Sequence, residues 1–427
     1  LGVDEVSVRE RLSVGVAGTG DEVVPPGRPL GPGQIHDVNS YTVAAAARDA
    51  GASVTGHGVL ADDAGDVAAA LEELASRHDA VVTSGSTSAS EGDVIHRIVE
   101  ERGDLVQHGV DLKPGKPTVL GALDGTPVFG LPGNPISALT VFRTLIAPAL
   151  RDAVGLPERR DIVERTALAR DVPTPGGRTR LLPVGLVECP ERGVLCHELD
   201  KGSGATTSLA HADGYVVVGG PVERLERDDA VDVHLLDAGV RPPSAVAAGP
   251  PDSVVEELLP SDARWLDAGS SAAARKLRDG VMDLAGLRDA RDALADIGLT
   301  DAVLVGGYER SVGICGDPDG ASVAVAEDDR GLVEDGETVD VSSPRSVAPA
   351  VADGAAAAGV CTRRQAVDAG LPFEPRLWER YDLLFRRERL AKPAVAACRE
   401  DLAAAVEDTE GYRSTDETGE RLERWSG

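Results

Sequence analysis

Two lysines three apart bracket a proline-glycine turn at the head of Lys113–Ser137, which reads KPGKPTVLGALDGTPVFGLPGNPIS. Lysine is scarce in this chain, the others being Lys201, Lys276 and Lys392, so Lys113 and Lys116 in one turn mark a rim that suits an anion. After them come a short apolar run (Thr118 to Leu120), the turn signal Asp124-Gly125, and a second apolar run (Pro127 to Leu131). Pro132-Gly133-Asn134-Pro135 then opens a helical pattern through Ser137. The order is strand, tight turn, strand, glycine turn, helix. The last turn sets backbone N–H groups at a helix N-terminus, where negative charge is stabilised. Without that chemistry the same residues would be a turn-rich connection with solvated lysines.

Three carboxylates belong to the same constellation. Glu22 closes Thr19-Gly20-Asp21-Glu22 after the apolar run Val14 to Ala17. Asp62 follows the run Ser53 to Leu60, and Asp93 ends a Ser/Gly loop that starts Ser84-Gly85-Ser86-Thr87-Ser88 after Ala80 to Thr83. Between these runs lie helical patterns over 37–50, 64–77 and 94–102, with Asp37 or Asn39 as the cap of the first. Repeated strand–helix units predict a parallel sheet covered on both faces. Its ligand edge is the carboxyl end of the strands, where all these loops fall. Hydroxyls and close backbone at Thr19, Gly20, Ser84, Gly85, Ser86 and Ser88 suit phosphate and a fused heterocycle. Glu22, Asp62 and Asp93 as a set suit Mg²⁺ shared with substrate phosphates. Taken singly, each acid is as well explained as a helix cap or solvated surface.

The motifs TGDE (19–22), PGQIHDVNSY (32–41), VLADD (59–63), TSGSTSASEGD (83–93), KPGKP (113–117) and GLPGNPISAL (130–139) resemble the molybdenum-cofactor-binding domain of the MoeA family, the molybdopterin molybdenumtransferases related to one half of gephyrin. The resemblance implies an α/β parallel-sheet molybdopterin-binding domain over 1–152. It implies acidic active-site and metal positions at Glu22, Asp62 and Asp93, and catalytic lysines at Lys113 and Lys116. It also implies a pterin-pyrophosphate pocket from Thr19, Gly20, Asp21, Ser84, Gly85, Ser86, Ser88, Pro132, Gly133, Asn134 and Ser137. The family pattern T-S-G-G-x-S-x-G departs here: its later glycines are Ser86 and Ser90, whose Cβ atoms narrow the backbone approach to a ligand.

Residues 153–237 are short apolar runs between Gly/Pro turns, a small all-β barrel or sandwich. Its loop from Lys201 to Leu209, KGSGATTSL, is similar to the family's fourth-domain loop, which implies that Ser203 closes over the substrate. An elongated β domain that precedes this region in the family, and contributes an acidic residue across a homodimer, has no counterpart before Leu1. The chain begins without Met, so either residues upstream are missing from the sequence or the protein lacks that half of the site.

A proline-rich linker is expected over 238–251, then a second α/β domain over 252–407 and a frayed charged tail over 408–427. VGGYERSVGI (305–314), AVADGAAAAGV (350–360) and LPFEPRLWERYDLLF (371–385) are similar to a periplasmic-binding-protein-like domain found fused behind molybdenum transferases. In that fold, anions are held by serine hydroxyls and helix N-termini, which points to Ser270 and Ser271 on one lobe and Ser343 and Arg345 on the other. Helix capping is the competing explanation.

Two functions follow from the resemblance. One is an enzyme that inserts molybdate or tungstate into adenylylated molybdopterin with Mg²⁺ and releases AMP, fed by a molybdopterin adenylyltransferase partner. The other is a non-catalytic molybdopterin or oxyanion carrier or sensor. Asp+Glu 72 against Lys+Arg 43 gives a net charge of −29, which argues against nucleic-acid and anionic-membrane partners. Five cysteines, an odd number with no C-x-x-C pair, fit reduced thiols in a cytoplasm. No apolar run reaches the roughly 18 residues of a membrane span. The acidic balance, rare lysine and 3% aromatics predict adaptation to high salt, as in a haloarchaeal protein. Circular dichroism should then show unfolding at low salt and recovery in molar salt; a spectrum indifferent to salt would remove that reading.

Overall fold

The computed structural model describes all residues except 1, 3, 32, 61–62, 86–93, 160–161, 200–211, 289, 295–296, 300, 318–321, 334–336, 342 and 424–427. Asp62, Ser86, Ser88, Asp93 and Ser203 therefore lie outside the described residues.

The first domain runs β1 (Ser13–Thr19), α1 (Asn39–Asp49), β2 (Ser53–Leu60), α2 (Ala64–Arg77), β3 (Ala80–Ser84), α3 (Val94–Arg102), β4 (Asp104–His108), β5 (Val119–Leu123), β6 (Thr126–Leu131), α4 (Pro135–Val141) and α5 (Ala147–Ala153). Its sheet order is β2-β1-β3-β6-β5-β4. The pairs β1–β2, β1–β3 and β3–β6 are parallel, while β5 and β4 add an antiparallel edge. The expected parallel sheet is present and carries this hairpin as an antiparallel edge. At its expected turn Asp124 and Gly125 both take positive φ (48° and 82°), so the chain reverses in a tight hairpin rather than crossing over. Neighbouring strand residues face opposite ways, and the two faces bury different helices. Val82 packs with α1, α4 and α5 through Val43, Ala47, Val141 and Leu150. Val81 packs with α2 and α3 through Val67, Leu71, Ile95 and Val99.

The second domain is β7 (Val163–Leu168), β8 (Thr179–Cys189), β9 (Gly193–Glu198), β10 (Gly214–Val218) and β11 (Ala230–Leu235). Their order, β9-β7-β11-β10-β8, closes through β8–β9, so of the two expected forms the chain takes the barrel. A two-residue strand, Leu112–Lys113, joins it in parallel with β8.

The third domain holds β12 (Val246–Gly249), α6 (Ser253–Leu258), β13 (Arg264–Asp267), α7 (Ser270–Arg278), β14 (Leu284–Arg288), β15 (Ala302–Gly316), β16 (Ser322–Ala326), β17 (Glu337–Val341), α8 (Val347–Ala352), β18 (Ala358–Thr362), α9 (Arg363–Asp368), β19 (Phe373–Arg386), α10 (Pro393–Glu400) and α11 (Leu402–Asp408). Its strands run β13-β12-β14-β19-β15-β18-β16-β17, and the long β15–β19 pair spans both lobes. Two expectations are corrected. Val246–Gly249, in the supposed linker, is a fully buried strand, because AVAAG is small and apolar enough to run between two neighbours. The supposed tail supplies Tyr412–Ser414 and Arg421–Glu423, both paired with β15; Tyr412 is buried and anchors the segment. No helix among the described residues is long and apolar enough to cross a membrane, and all five cysteines are free and buried.

Barrel and third domain share one core: Ala169, Val187, Cys189 and Leu195 pack with Val246, Ala248, Leu277 and Leu287. Arg264 forks onto Asp213 at 2.9 and 2.8 Å, and Lys392 Nζ donates to Glu188 O (3.2 Å) and Asp283 (2.9 Å). His197 is buried at this joint. Its Nδ1–H donates to Glu198 O at 3.3 Å, while Nε2 is buried without a partner. Burial, reinforced by Lys276, Arg170 and Arg264, pushes its pKa down to about 3 from 6.5, although the Glu198 bond opposes the shift. The unfolded chain therefore takes up this proton first. Stability is full above about pH 6.5 and is lost as pH falls towards about 3. Between about pH 7 and pH 5, wild type should lose about 2 kcal/mol more than His197→Gln in urea unfolding; equal losses would show that His197 does not report on folding.

Candidate functional site

A cleft of about 460 Å³ opens at the carboxyl ends of β1, β3 and β6. Thr19, Gly20, Glu22, Ser84, Gly85, Pro132, Gly133, Asn134 and Ser137 line it, so nine residues singled out in sequence converge there. Each arrives for a local reason. Parallel strands deliver their last residues to one edge, and the glycines let the following loops nearly touch. Gly85 has φ +111°, and a Cβ there would stand 2.4 Å from Thr19 O. Gly20, at φ +136°, would set a Cβ 2.9 Å from the Glu22 carboxylate. Asn134 caps α4, its Oδ1 accepting from Ser137 N at 3.2 Å. One of the N–H groups expected for an anion is therefore already used.

Ser84 does more structural work than its sequence context suggests. Its hydroxyl donates to Pro132 O at 3.0 Å and accepts from Asn39 Nδ2 at 2.8 Å, tying β3 to the glycine turn. The same Nδ2 donates to Gly133 O at 2.7 Å. A carbonyl can only accept, which sets the amide's orientation and leaves Asn39 Oδ1 buried without a partner. That orphaned acceptor suits a ligand N–H. Asn39 and the buried Asp37 line the cleft although sequence reasoning read them only as caps. Asp37 does act in that way, accepting from Ser40 N at 3.0 Å, whereas Asn39 is a brace between two loops. Their signal was their place in PGQIHDVNSY.

Asp21 is exposed and lies off the cleft lining, as do both lysines of the KPGKP turn. Lys113 lies in the strand that joins the barrel, opposite Arg180. Lys116 is exposed, and the next residue, Pro117, lines the cleft. The turn is held to the site by packing: at Gly115 a Cβ would come within 2.4 Å of Val141 of α4. Among the described residues no three His, Cys, Asp or Glu side chains gather to hold a metal. The carboxylates at the cleft, among the described residues, are Glu22 and Asp37.

In the third domain the expected anion-binding groups face carboxylates. Arg345 donates to Asp267 (2.8 Å) and forks onto Glu256 (2.7 and 2.6 Å). Ser343 Oγ donates to Asp267 at 2.9 Å and accepts from Arg345 N at 3.2 Å. Ser270 Oγ accepts from Arg288 N at 2.8 Å, and Ser271 is exposed in the first turn of α7. Hydroxyls and guanidinium are thus occupied by the protein, and an oxyanion there would meet Asp267 and Glu256. The acid-rich composition has supplied the counter-charge internally.

Residues 15–152 match the family described as a probable molybdopterin binding domain, and residues 165–236 match the MoeA C-terminal region (domain IV). Residues 15–236 are thus similar to the MoeA family in two successive segments. Residues 334–400 match a PBP superfamily domain. The molybdopterin molybdenumtransferase 2 of Mycobacterium tuberculosis is 39% identical over 186 residues, 42% of this chain and 45% of the relative. Molybdopterin molybdenumtransferase 1 of the same organism is 33% identical over 245 residues, 55% of this chain and 57% of the relative. The chain spans about half the length of the curated relatives it matches. A solved molybdopterin biosynthesis MoeA protein from Pyrococcus horikosii is 38% identical, covering 53% of this chain and 55% of that one, with a TM-score of 0.47.

The close approach of the loops makes a sharp test of the cleft. Gly85→Ala should lower stability by about 1–3 kcal/mol from backbone strain alone, more with the clash at Thr19. Gly133→Ala, whose Cβ would meet nothing nearer than Gly85 Cα at 3.6 Å, should stay within about 1 kcal/mol of wild type. Urea midpoints decide; equal effects would mean the loops do not rest on one another.

Proposed function

We propose that the chain takes part in molybdenum cofactor biosynthesis as a molybdopterin molybdenumtransferase, inserting molybdate or tungstate into adenylylated molybdopterin and releasing AMP. The observation that carries this is the cleft at the strand ends. Close backbone at Thr19, Gly85 and Gly133 would face phosphate, and the orphaned Asn39 Oδ1 would accept from a pterin N–H. Relatives named for this transferase activity support the reading.

Loss of AMP breaks a phosphoanhydride bond, which asks for positioning and neutralisation of charge and needs no nucleophilic side chain. Glu22 is exposed at the cleft, while Asp37 has one carboxylate oxygen committed to Ser40. This donor set fits Mg²⁺, which takes one or two protein carboxylates and completes its shell with water and substrate phosphates. When bound, Mg²⁺ would supply charge neutralisation at the departing phosphate, with Glu22, Asp62 and Asp93 as its holders. Lys113 and Lys116 would add positive charge from the rim, and Ser203 would close from the barrel. A homodimer, a molybdopterin adenylyltransferase partner and a cytoplasmic setting belong to the same proposal, as does adaptation to high salt.

The test is a titration of the full chain, in high salt with Mg²⁺, first with adenylylated molybdopterin and then with molybdate. Molybdate-dependent AMP release is expected, and Glu22→Gln should slow it by about 10²- to 10³-fold. Pterin binding without AMP release from the wild-type chain would overturn the transferase and leave a carrier of the cofactor.

A further inference from the structure

The arginines of this acidic chain mostly face carboxylates, as Arg264, Arg310 and Arg345 do. Arg143 and Arg159 do not: among the described residues neither guanidinium has a hydrogen-bond or ion-pair partner. They share a pocket of about 280 Å³ between the first domain and the barrel, away from the pterin cleft.

The backbone builds this pocket deliberately. Between α4 and α5 the chain makes a π-helical turn, Phe142–Ile146, with Ala147 N bonding back to Phe142 O. Pro148 sits in the first turn of α5, and a proline ring cannot share a regular helical turn with the carbonyl four residues earlier. The wider turn accommodates it and presents Arg143 at the pocket. Arg151 then fastens the connection to the barrel, donating through Nε (3.0 Å) and Nη2 (2.9 Å) to Pro157 O and through Nη1 (3.2 Å) to Asp49 O. That fastening places Arg159 beside Arg143. Asp49 and Glu158 also line the pocket, so Arg143, Arg151 and Arg159 exceed the lining carboxylates by one charge in a chain of net charge −29. Arg143 is held below its ordinary pKa by burial and then by Arg159, whose push outweighs the pull of Asp49. Arg143 is exposed as a residue, so this desolvation is that of the pocket mouth, not of the core.

We propose that this pocket binds a tetrahedral dianion, free or as the terminal group of a phosphate monoester, held between Arg143 and Arg159. Each planar guanidinium matches two oxygens of one edge of a tetrahedron, so two of them match a dianion with four oxygens or a monoester with three. A carboxylate has a single such edge and would leave one arginine unmatched. The bound dianion bridges the helix that begins at the pterin cleft and the connection leading into the barrel, so it favours one pose of the barrel over the cleft. The site stands independently of the transferase reading.

Calorimetric titration of the full chain tests it, in a phosphate- and sulfate-free chloride buffer at a salt concentration that keeps the chain folded. Inorganic phosphate, molybdate and AMP are separate titrants against wild type, Arg143→Gln and Arg159→Gln, with circular dichroism confirming that each variant is folded. Saturable binding is expected, weakened about tenfold or more in both variants, as for loss of a hydrogen bond to a charged group. Tighter binding of AMP than of phosphate or molybdate would identify a monoester site, and the reverse order a site for the free ion. No binding of any of the three to wild type, or binding to both variants as tight as to wild type, overturns the proposal.

Discussion

Two loops pass one another at Gly85 and Thr19 with no room for a single added methyl group, and the MoeA-like half depends on that approach. It lets three strand ends, separated by more than a hundred residues of chain, share one polar edge. Ser84 and Asn39 then fasten the edge with hydrogen bonds that cross between β3, α1 and the glycine turn. The cleft is therefore made of backbone and braces rather than of long side chains. Such a site can hold phosphate and a flat heterocycle without paying much entropy, because little in it has to be immobilised.

The second constraint is the fusion of barrel and C-terminal domain. A common apolar core and a buried fork of Arg264 on Asp213 join them. A module swinging on a linker would have shown neither. Barrel and C-terminal domain are therefore one packed unit, and the pocket at Arg143 lies where that unit meets the first domain.

Acidity shapes the rest. With 72 acidic residues against 43 basic, most arginines of the described chain meet a carboxylate of the protein itself. This explains why Arg345 and Ser343 bind Asp267 and Glu256 in the cleft between the lobes. Arg143 and Arg159 differ from these in sharing one pocket, where neither guanidinium has such a partner among the described residues.

Local pattern determined a great deal here. Strands and helices of the first domain fall almost residue for residue where apolar runs, caps and glycine turns place them, as at Ser53–Leu60 and Ala64–Arg77. The residues lining the cleft were legible because parallel strands send their ends to one edge whatever the details of packing. Tertiary structure decided what no local pattern encodes. AVAAG at 245–249 reads as linker until neighbouring strands β13 and β14 bury it, and the charged tail reads as frayed until Tyr412 finds Asp252. Asn39 reads as a cap until Ser84 and Gly133, 45 and 94 residues away, draw its amide between them. Hydrogen bonds and ion pairs between distant residues depend on which chain segments meet, and that is set by burial of the whole core.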